Sequence, residues 1–258
     1  TVTISALNLF CLGILMIALA FEILIAKQAL GMADIEDFSD WAESLLHQGC
    51  ELENVAILAS LGVSNDTNLD EAEYYFSKCI NDLDLNLPNQ QDAIWIYSQE
   101  LAKAIVAKIL KPSVGLGVLK SFWIATNYTK PLYSLWYDLA VDIYSLNNDD
   151  AYLWNTELYY EDIDEFIIKM AQQFLELSYH DIPENFFDLI ACFDCHSVGQ
   201  LTHKRIELTW LAVPLFRLIY GRNPTLLPVC SNCGSDHIKS MRDYQGRAMY
   251  LLLSLIHI

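Results

Sequence analysis

Four of the seven cysteines form two C-x-x-C pairs, Cys192/Cys195 and Cys230/Cys233. Two thiolates separated by two residues can reach one metal ion, and zinc is the metal that such pairs typically bind. Gly234 follows the second pair and permits a tight positive-φ turn that points backbone N–H groups at the sulfurs. The spacing therefore predicts Cys230 and Cys233 as zinc ligands, in a reducing compartment rather than in a disulfide framework.

The residues around Cys230 and Cys233 resemble the first hairpin of a zinc ribbon. The resemblance covers 228–250, with Pro-Val-Cys-Ser-Asn-Cys-Gly-Ser and the following Ile238 to Tyr250. It implies a second C-x-x-C pair after that hairpin, at about Leu252 or later. Residues 253–258 resemble the translated end of a sequencing adapter, so an artefact is expected there and the ribbon is expected to be truncated.

Cys192 and Cys195 are the alternative second pair, and with Cys230 and Cys233 they would complete a four-thiolate site. Against this, the apolar run Phe186–Phe193 follows Pro183 and predicts a helix. Cysteines three residues apart on a buried helix are often ordinary core residues. The two possibilities stay open at this stage.

A second group of residues suits binding rather than catalysis. Between Lys130 and Lys169 there are nine acidic residues and no Lys or Arg. Interleaved with the acids are Tyr137, Tyr144, Tyr152, Trp154, Tyr159 and Tyr160. Acids attract a basic protein and aromatic side chains anchor it, so this segment predicts a basic protein partner. The predicted partner-binding residues are Trp154, Tyr159, Asp149 and Asp150. The alternative is a solvated acidic face beside half-buried aromatic residues.

No recognisable catalytic motif is present. The sequence contains no G-x-S-x-G or H-E-x-x-H, and Gly115-Leu-Gly117 lacks the third glycine and the preceding strand of a nucleotide-binding turn. The sequence therefore favours a protein that is not an enzyme, without excluding an unrecognised site.

Charge separates the chain into two parts. Residues 32–202 contain 7 Lys or Arg and 29 Asp or Glu. Residues 203–250 contain 7 Lys or Arg and 3 Asp or Glu. The net charges of −22 and +4 disfavour nucleic-acid binding by the first part and allow it for the second. We expect an acidic helical domain at 32–202 and a basic segment with the C-x-x-C turn at 203–252.

The first 31 residues form a separate hydrophobic segment in this scheme. Ile4 to Ala26 is almost entirely apolar and long enough to span a bilayer. Either it is a membrane helix, which would anchor a cytoplasmic domain, or it is an extension upstream of a start at Met32, which leaves a cytoplasmic protein.

Helical periodicity dominates the remaining elements. Phe38, Trp41, Ala42, Leu45 and Leu46 repeat at helical spacing, as do apolar residues between Ile163 and Leu177. Several such helices with short connections predict a mainly α fold, an irregular helical bundle with a small zinc-ribbon-like β segment at the C-terminus.

Residues 38–137 resemble uncharacterised bacterial helical proteins. The resemblance lies in Asp-Trp-Ala-Glu-Ser-Leu-Leu, Leu-Ala-Ser-Leu-Gly and Glu-Tyr-Tyr-Phe-Ser-Lys between Phe38 and Leu85, and continues from Ala102 to Tyr137. Some proteins of this kind act as immunity proteins beside toxins. The resemblance implies a non-enzymatic interaction protein, which agrees with a basic partner. The alternative function is a zinc-ribbon-containing regulatory or nucleic-acid-associated protein.

Overall fold

The computed structural model describes residues 2–63, 68–148, 153–205 and 226–256. The protein is mainly α-helical, with a small antiparallel sheet near the C-terminus, which confirms the predicted fold class. The helices are α1 (Val2–Ala29), α2 (Ile35–His47), α3 (Glu53–Leu61), α4 (Leu69–Asp82), α5 (Gln90–Val106), α6 (Pro112–Ala125), α7 (Ser134–Asn147), α8 (Ile163–Leu177) and α9 (Tyr244–Ile256). The strands are β1 (Leu189–Cys192), β2 (Val198–Arg205), β3 (Leu226–Cys230) and β4 (Ile238–Ser240).

The chain divides into two compact units, Thr1–Leu101 and Ala102–Ile258. This division differs from the predicted boundaries at residues 32 and 203. Residues 102–202 share a unit with the basic segment, and the hydrophobic N-terminal segment shares a unit with α2 to α4.

The first unit is held together by aromatic packing. Phe21 of α1 lies against Trp41 and Phe76, with ring centroids 5.6 and 6.0 Å apart, and Phe38 packs edge-on against Phe76 at 5.1 Å. The second half of α1 therefore contributes to this core. Among the described residues, none of the helices combines the length and hydropathy required to cross a membrane.

Helices α6, α7 and α8 form the core of the second unit. Trp136 and Phe174 are fully buried and lie 5.3 Å apart, and Phe122 packs edge-on against Tyr133 at 5.7 Å. The apolar stripe predicted between Ile163 and Leu177 faces this core: Phe166, Ile167, Met170, Phe174 and Leu177 are all buried.

The sheet has the order β3-β2-β1-β4, and all its pairs are antiparallel. The helix predicted through Phe186–Phe193 was wrong: Phe186–Asp188 is a single 3₁₀ turn, and Leu189–Cys192 is β1. A four-residue apolar run fits either a helix or a buried strand. Here Ile190 pairs with Gly199 on one side and with Ser240 on the other. These pairings with two neighbouring strands stabilise the extended conformation.

The hairpin expected after Cys233 is also absent from the described residues. Only Ile238–Ser240 is extended, and it pairs with β1, after which the chain enters α9. Asp243 begins this helix, because its carboxylate accepts a hydrogen bond from the backbone N–H of Gln245 at 2.8 Å. The Cys230 turn therefore connects β3 to β4, two strands that are not paired with each other.

Candidate metal centre

Two turns of the same backbone geometry carry the four cysteines. Cys192 ends β1 and Cys230 ends β3, so each pair begins where a strand stops. The backbone N–H of Cys192 donates to the carbonyl of Ser197 at 2.9 Å, and that of Cys230 donates to the carbonyl of Ser235 at 2.8 Å. Each of these hydrogen bonds joins residues five apart and closes a turn, which folds the second cysteine of the pair back toward the first.

A left-handed residue follows the second cysteine of each turn. Gly234 has φ 75°, as the sequence predicted, and His196 has φ 52°. Histidine is among the side chains that tolerate this region better than most. The turns therefore share the pattern C-x-[Asp/Asn]-C-x-Ser, with Asp194 and Asn232 in equivalent places. This repeat was readable in the sequence and would have identified the two pairs as equivalent.

The two turns bring their sulfurs together. All four Sγ atoms lie within 4.8 Å of one another. Cys192 Sγ is 3.6 Å from Cys233 Sγ, and Cys195 Sγ is 3.7 Å from Cys230 Sγ. A tetrahedral ion with metal–sulfur bonds of about 2.3 Å separates its sulfurs by about 3.8 Å. The four cysteines, none of which forms a disulfide, could therefore hold a metal ion with little rearrangement.

The centre lies at the boundary between core and solvent. Cys192 and Cys230 are buried in a small apolar cluster with Ile190, and Ile238 packs against it. Cys195 is half-buried, and Cys233 is exposed. One thiol of each pair therefore faces the interior and the other lies toward the surface.

Hydroxyl and amide groups surround the sulfurs. Ser197 Oγ lies 3.0 Å from Cys195 Sγ and 3.6 Å from Cys230 Sγ. The backbone N–H of Asn232 points at Cys230 Sγ at 3.4 Å, and its side-chain amide points at Cys195 Sγ at 3.6 Å. Such donors orient metal-bound thiolates and balance their charge.

These contacts change the acidity of the thiols. The Ser197 hydroxyl, followed by the Asn232 amide, lowers the pKa of Cys195 to about 6. The pKa of Cys230 is also lowered, mainly by the Cys233 backbone N–H. The Ser235 N–H acts to lower the pKa of Cys233, but the neighbouring Cys195 and desolvation together raise it to about 12. A metal ion binds thiolates, so metal binding at this cluster must displace protons.

A polar clamp joins the two turns on the outside. Asp194 of the first turn accepts hydrogen bonds from Ser235 Oγ at 2.5 Å and from His237 Nδ1 at 3.1 Å. The His237 ring also stacks on Phe193, with centroids 5.2 Å apart. His237 thus contacts Asp194 instead of the metal centre, and it supports the cysteine pairs from outside.

The predicted partner-binding residues that the structure describes, Trp154 and Tyr159, have different surroundings. Tyr159 is 59% exposed. Trp154 is half-buried, with the Arg242 guanidinium 4.9 Å from its ring centre, which favours the alternative in which it packs into the protein. Asp149 and Asp150 lie outside the described residues.

Sequence reasoning missed a buried polar network around Arg247. This side chain is fully buried and donates to Gln173 Oε1 at 2.6 Å, to Asn155 Oδ1 at 3.1 Å and to the carbonyls of Met241 and Arg242. Burial lowers its pKa to about 10. Charged side chains are rarely buried, and the charge count of 203–250 included Arg247 without any sign of its burial.

Two more cations of the predicted basic segment have internal partners. Arg242 pairs with Asp138 at 2.9 Å, and Lys239 lies 3.5 Å from Asp243. Arg217 and Arg222 lie outside the described residues. The described part of 203–250 therefore presents less positive charge than its composition suggests.

Comparison of the chain with protein-family models, with curated proteins and with solved structures found no match.

Proposed function

We propose that Cys192, Cys195, Cys230 and Cys233 bind one zinc ion as a structural centre of this protein. The observation that carries the proposal is the pair of sulfur–sulfur distances between the turns, 3.6 and 3.7 Å. They match the edge of a tetrahedral four-thiolate site. Iron also occupies tetrahedral four-sulfur sites, so the metal is identified by analysis of the purified protein.

Four cysteine ligands fill a tetrahedral coordination sphere. Catalytic zinc sites keep one position open for water or substrate, whereas structural sites are closed. Zinc here would connect β1 to β3, which are separated in the sheet by β2. We therefore assign zinc a role in holding the sheet, and not in chemistry on a substrate.

The test is metal analysis of the whole chain with a cysteine control. The natural protein should hold about one zinc per chain. Cys192→Ser combined with Cys230→Ser should abolish it, because two ligands are lost. Cys50→Ser, at a half-buried cysteine in the first unit, should leave zinc unchanged. A protein without metal, or a double variant that keeps its zinc, would contradict the proposal.

We also propose that the protein acts by binding a basic protein, as immunity proteins do, in the bacterial cytoplasm. The supporting observation is an exposed acidic and aromatic surface, made by Tyr159, Tyr160 and the exposed acids Glu157, Glu161, Asp162, Asp164 and Glu165. We call these seven residues the acidic tyrosine surface. Asp138 and Asp142 do not belong to it, because both are buried.

A capture experiment with matched tyrosine variants tests the partner. Tyr159→Ala should speed dissociation of a basic protein captured from bacterial extract, because exposed aromatic residues supply buried anchors in complexes. Tyr179→Ala is the control, since Tyr179 is 80% exposed in the same unit and outside the acidic tyrosine surface. Binding must weaken as salt rises. Equal off-rates for both variants would contradict the proposal.

The alternative function, nucleic-acid association through 203–250, remains a second proposal. It predicts salt-sensitive binding of DNA or RNA by the whole chain that is weakened when Lys204 is replaced. Lys204 is an exposed cation on β2. Equal nucleic-acid affinity of Lys204→Ala and the natural protein would count against it.

A further inference from the structure

A cleft of about 390 Å³ opens in the second unit, away from the cysteines. One part of its wall is aromatic and comprises Trp123, Tyr128 and Tyr137, and another part carries the carboxylates Asp138, Glu184 and Asp188. Tyr128 is 58% exposed, Tyr137 is 42% exposed and Trp123 is half-buried, so parts of these side chains face solvent. Cavities of this size accommodate small ligands.

Charge in the cleft is unbalanced. Its lining contains three carboxylates and one cation, Arg242, which is already paired with Asp138. None of the ion pairs identified among the described residues involves Glu184 or Asp188. A cation that enters the cleft therefore meets two carboxylates without such a partner.

Ser134 supplies an independent sign of a missing ligand. It lines the cleft and is only 5% exposed, and its Oγ is buried without a hydrogen-bond partner. Burial of a hydroxyl without a partner is costly, and native proteins leave few such groups. This oxygen is closed to solvent, and rotation of the side chain about χ1 would let it accept a hydrogen bond from a ligand with N–H donors in the cleft.

The arrangement suits an organic cation better than a metal ion. In the part of the chain that the structure describes, only the four cysteines bring three or more ligand groups close enough for one ion. The carboxylates of the cleft are too dispersed for that and stand beside aromatic rings. Aromatic faces attract ammonium groups, and carboxylates accept their N–H bonds.

We propose that this cleft binds a primary alkylammonium group. Two sources share this chemistry: a free alkylamine, and a lysine side chain of a protein. If the source is a lysine side chain, the inference rests on the proposed basic partner, and that lysine would anchor the partner in the cleft.

The experiment is an NMR titration of the whole chain with its tryptophans labelled. The probes are n-butylammonium chloride, the peptide acetyl-Gly-Lys-Gly-amide and the uncharged n-butanol. The Trp123 indole signal should shift saturably with at least one cationic probe and not with butanol. Binding of butylammonium alone identifies a free amine as the source, and binding of the peptide identifies a lysine side chain.

Matched variants locate the site. Glu184→Gln with Asp188→Asn should weaken binding by roughly five- to tenfold, because each exposed charge contributes modestly. Glu71→Gln with Asp70→Asn makes the same charge change at two exposed acids of α4 in the first unit and should leave affinity unchanged. Ser134→Ala should weaken binding if its hydroxyl rotates toward the ligand, while the melting temperature stays the same or rises, since the variant removes a buried unpaired hydroxyl.

Failure of both cationic probes to shift Trp123, or equal shifts with butanol, would overturn the proposal. Equal affinities in the two charge variants would do the same. The partner proposal is tested separately through Tyr159, so capture of a basic protein without any response in the cleft would reject this inference alone.

Discussion

The two cysteine turns have the same backbone closure but differ in what their serine hydroxyls contact. Ser197 of the first turn lies against two sulfurs, whereas Ser235 of the second turn donates to Asp194 of the first. The first serine therefore supports the metal ligands, and the second serine joins the turns to each other. Equivalent positions in a repeated motif can thus contribute to one centre in different ways.

Replacing a cysteine should have the largest effect on zinc binding, and the effect should be the same for both turns. Cys192→Ser and Cys230→Ser each remove a buried ligand, and structural zinc stabilises small folded segments by about 10–16 kcal/mol in total. Each variant should lose zinc and the ordered sheet, measured by metal content and amide hydrogen exchange of β1 and β3. If only one variant loses zinc, the turns do not share a single ion.

Ser197→Ala should reduce zinc affinity by roughly 10- to 100-fold, because it removes the hydroxyl that lies 3.0 Å from Cys195 Sγ. Competition with a coloured chelator measures this affinity. Ser235→Ala is the control from the other turn. It loses the bond to Asp194, which is exposed, and should change zinc affinity less. A larger effect from Ser235→Ala would reverse the assignment of the two serines.

Replacing the glycine at the left-handed position should have a smaller effect than the cysteine and Ser197 variants. Gly234→Ala forces an alanine to φ 75°, and this costs about 1–2 kcal/mol of the unfolding free energy. The added Cβ would have open space around it, so the cost comes from the backbone alone. Chemical denaturation of the zinc-bound protein measures it.

His196→Gly provides the opposite change in the first turn. It relieves the side chain at φ 52° and should be neutral or stabilise by up to about 1 kcal/mol. A marked loss of stability in this variant would show that the histidine side chain makes a necessary contact.

Local periodicity predicted the helices and the fold class, because stripes such as Phe38, Trp41 and Ala42 repeat within a single element. Strand β1 was missed because its hydrogen-bond partners lie in β2 and β4, outside its own four-residue apolar run. The burial of Arg247 was not predicted, because its partners also lie outside its own segment. Its acceptors, Gln173 and Asn155, are 74 and 92 residues away, and a pattern of neighbouring residues does not reveal them.

All four cysteines were named as candidate ligands from the sequence, with Cys192 and Cys195 as the alternative second pair. Gly234 identified the second turn, since glycine after C-x-x-C indicates the left-handed conformation. The first turn has His196 at this position, and its apolar neighbours led to the prediction of a helix instead of a turn. The expected second pair beyond Leu252 is not needed for four ligands, because Cys192 and Cys195 already lie beside Cys230 and Cys233.

X-ray absorption at the metal edge tests the shared centre most directly. The whole chain, purified without chelator, should show zinc bound to four sulfur neighbours at about 2.3 Å. In Cys195→Ser, any zinc that remains should show three sulfurs and one lighter atom. Two sulfurs with two nitrogen or oxygen neighbours in the natural protein would contradict the account, because the two cysteine pairs would then not bind the same ion.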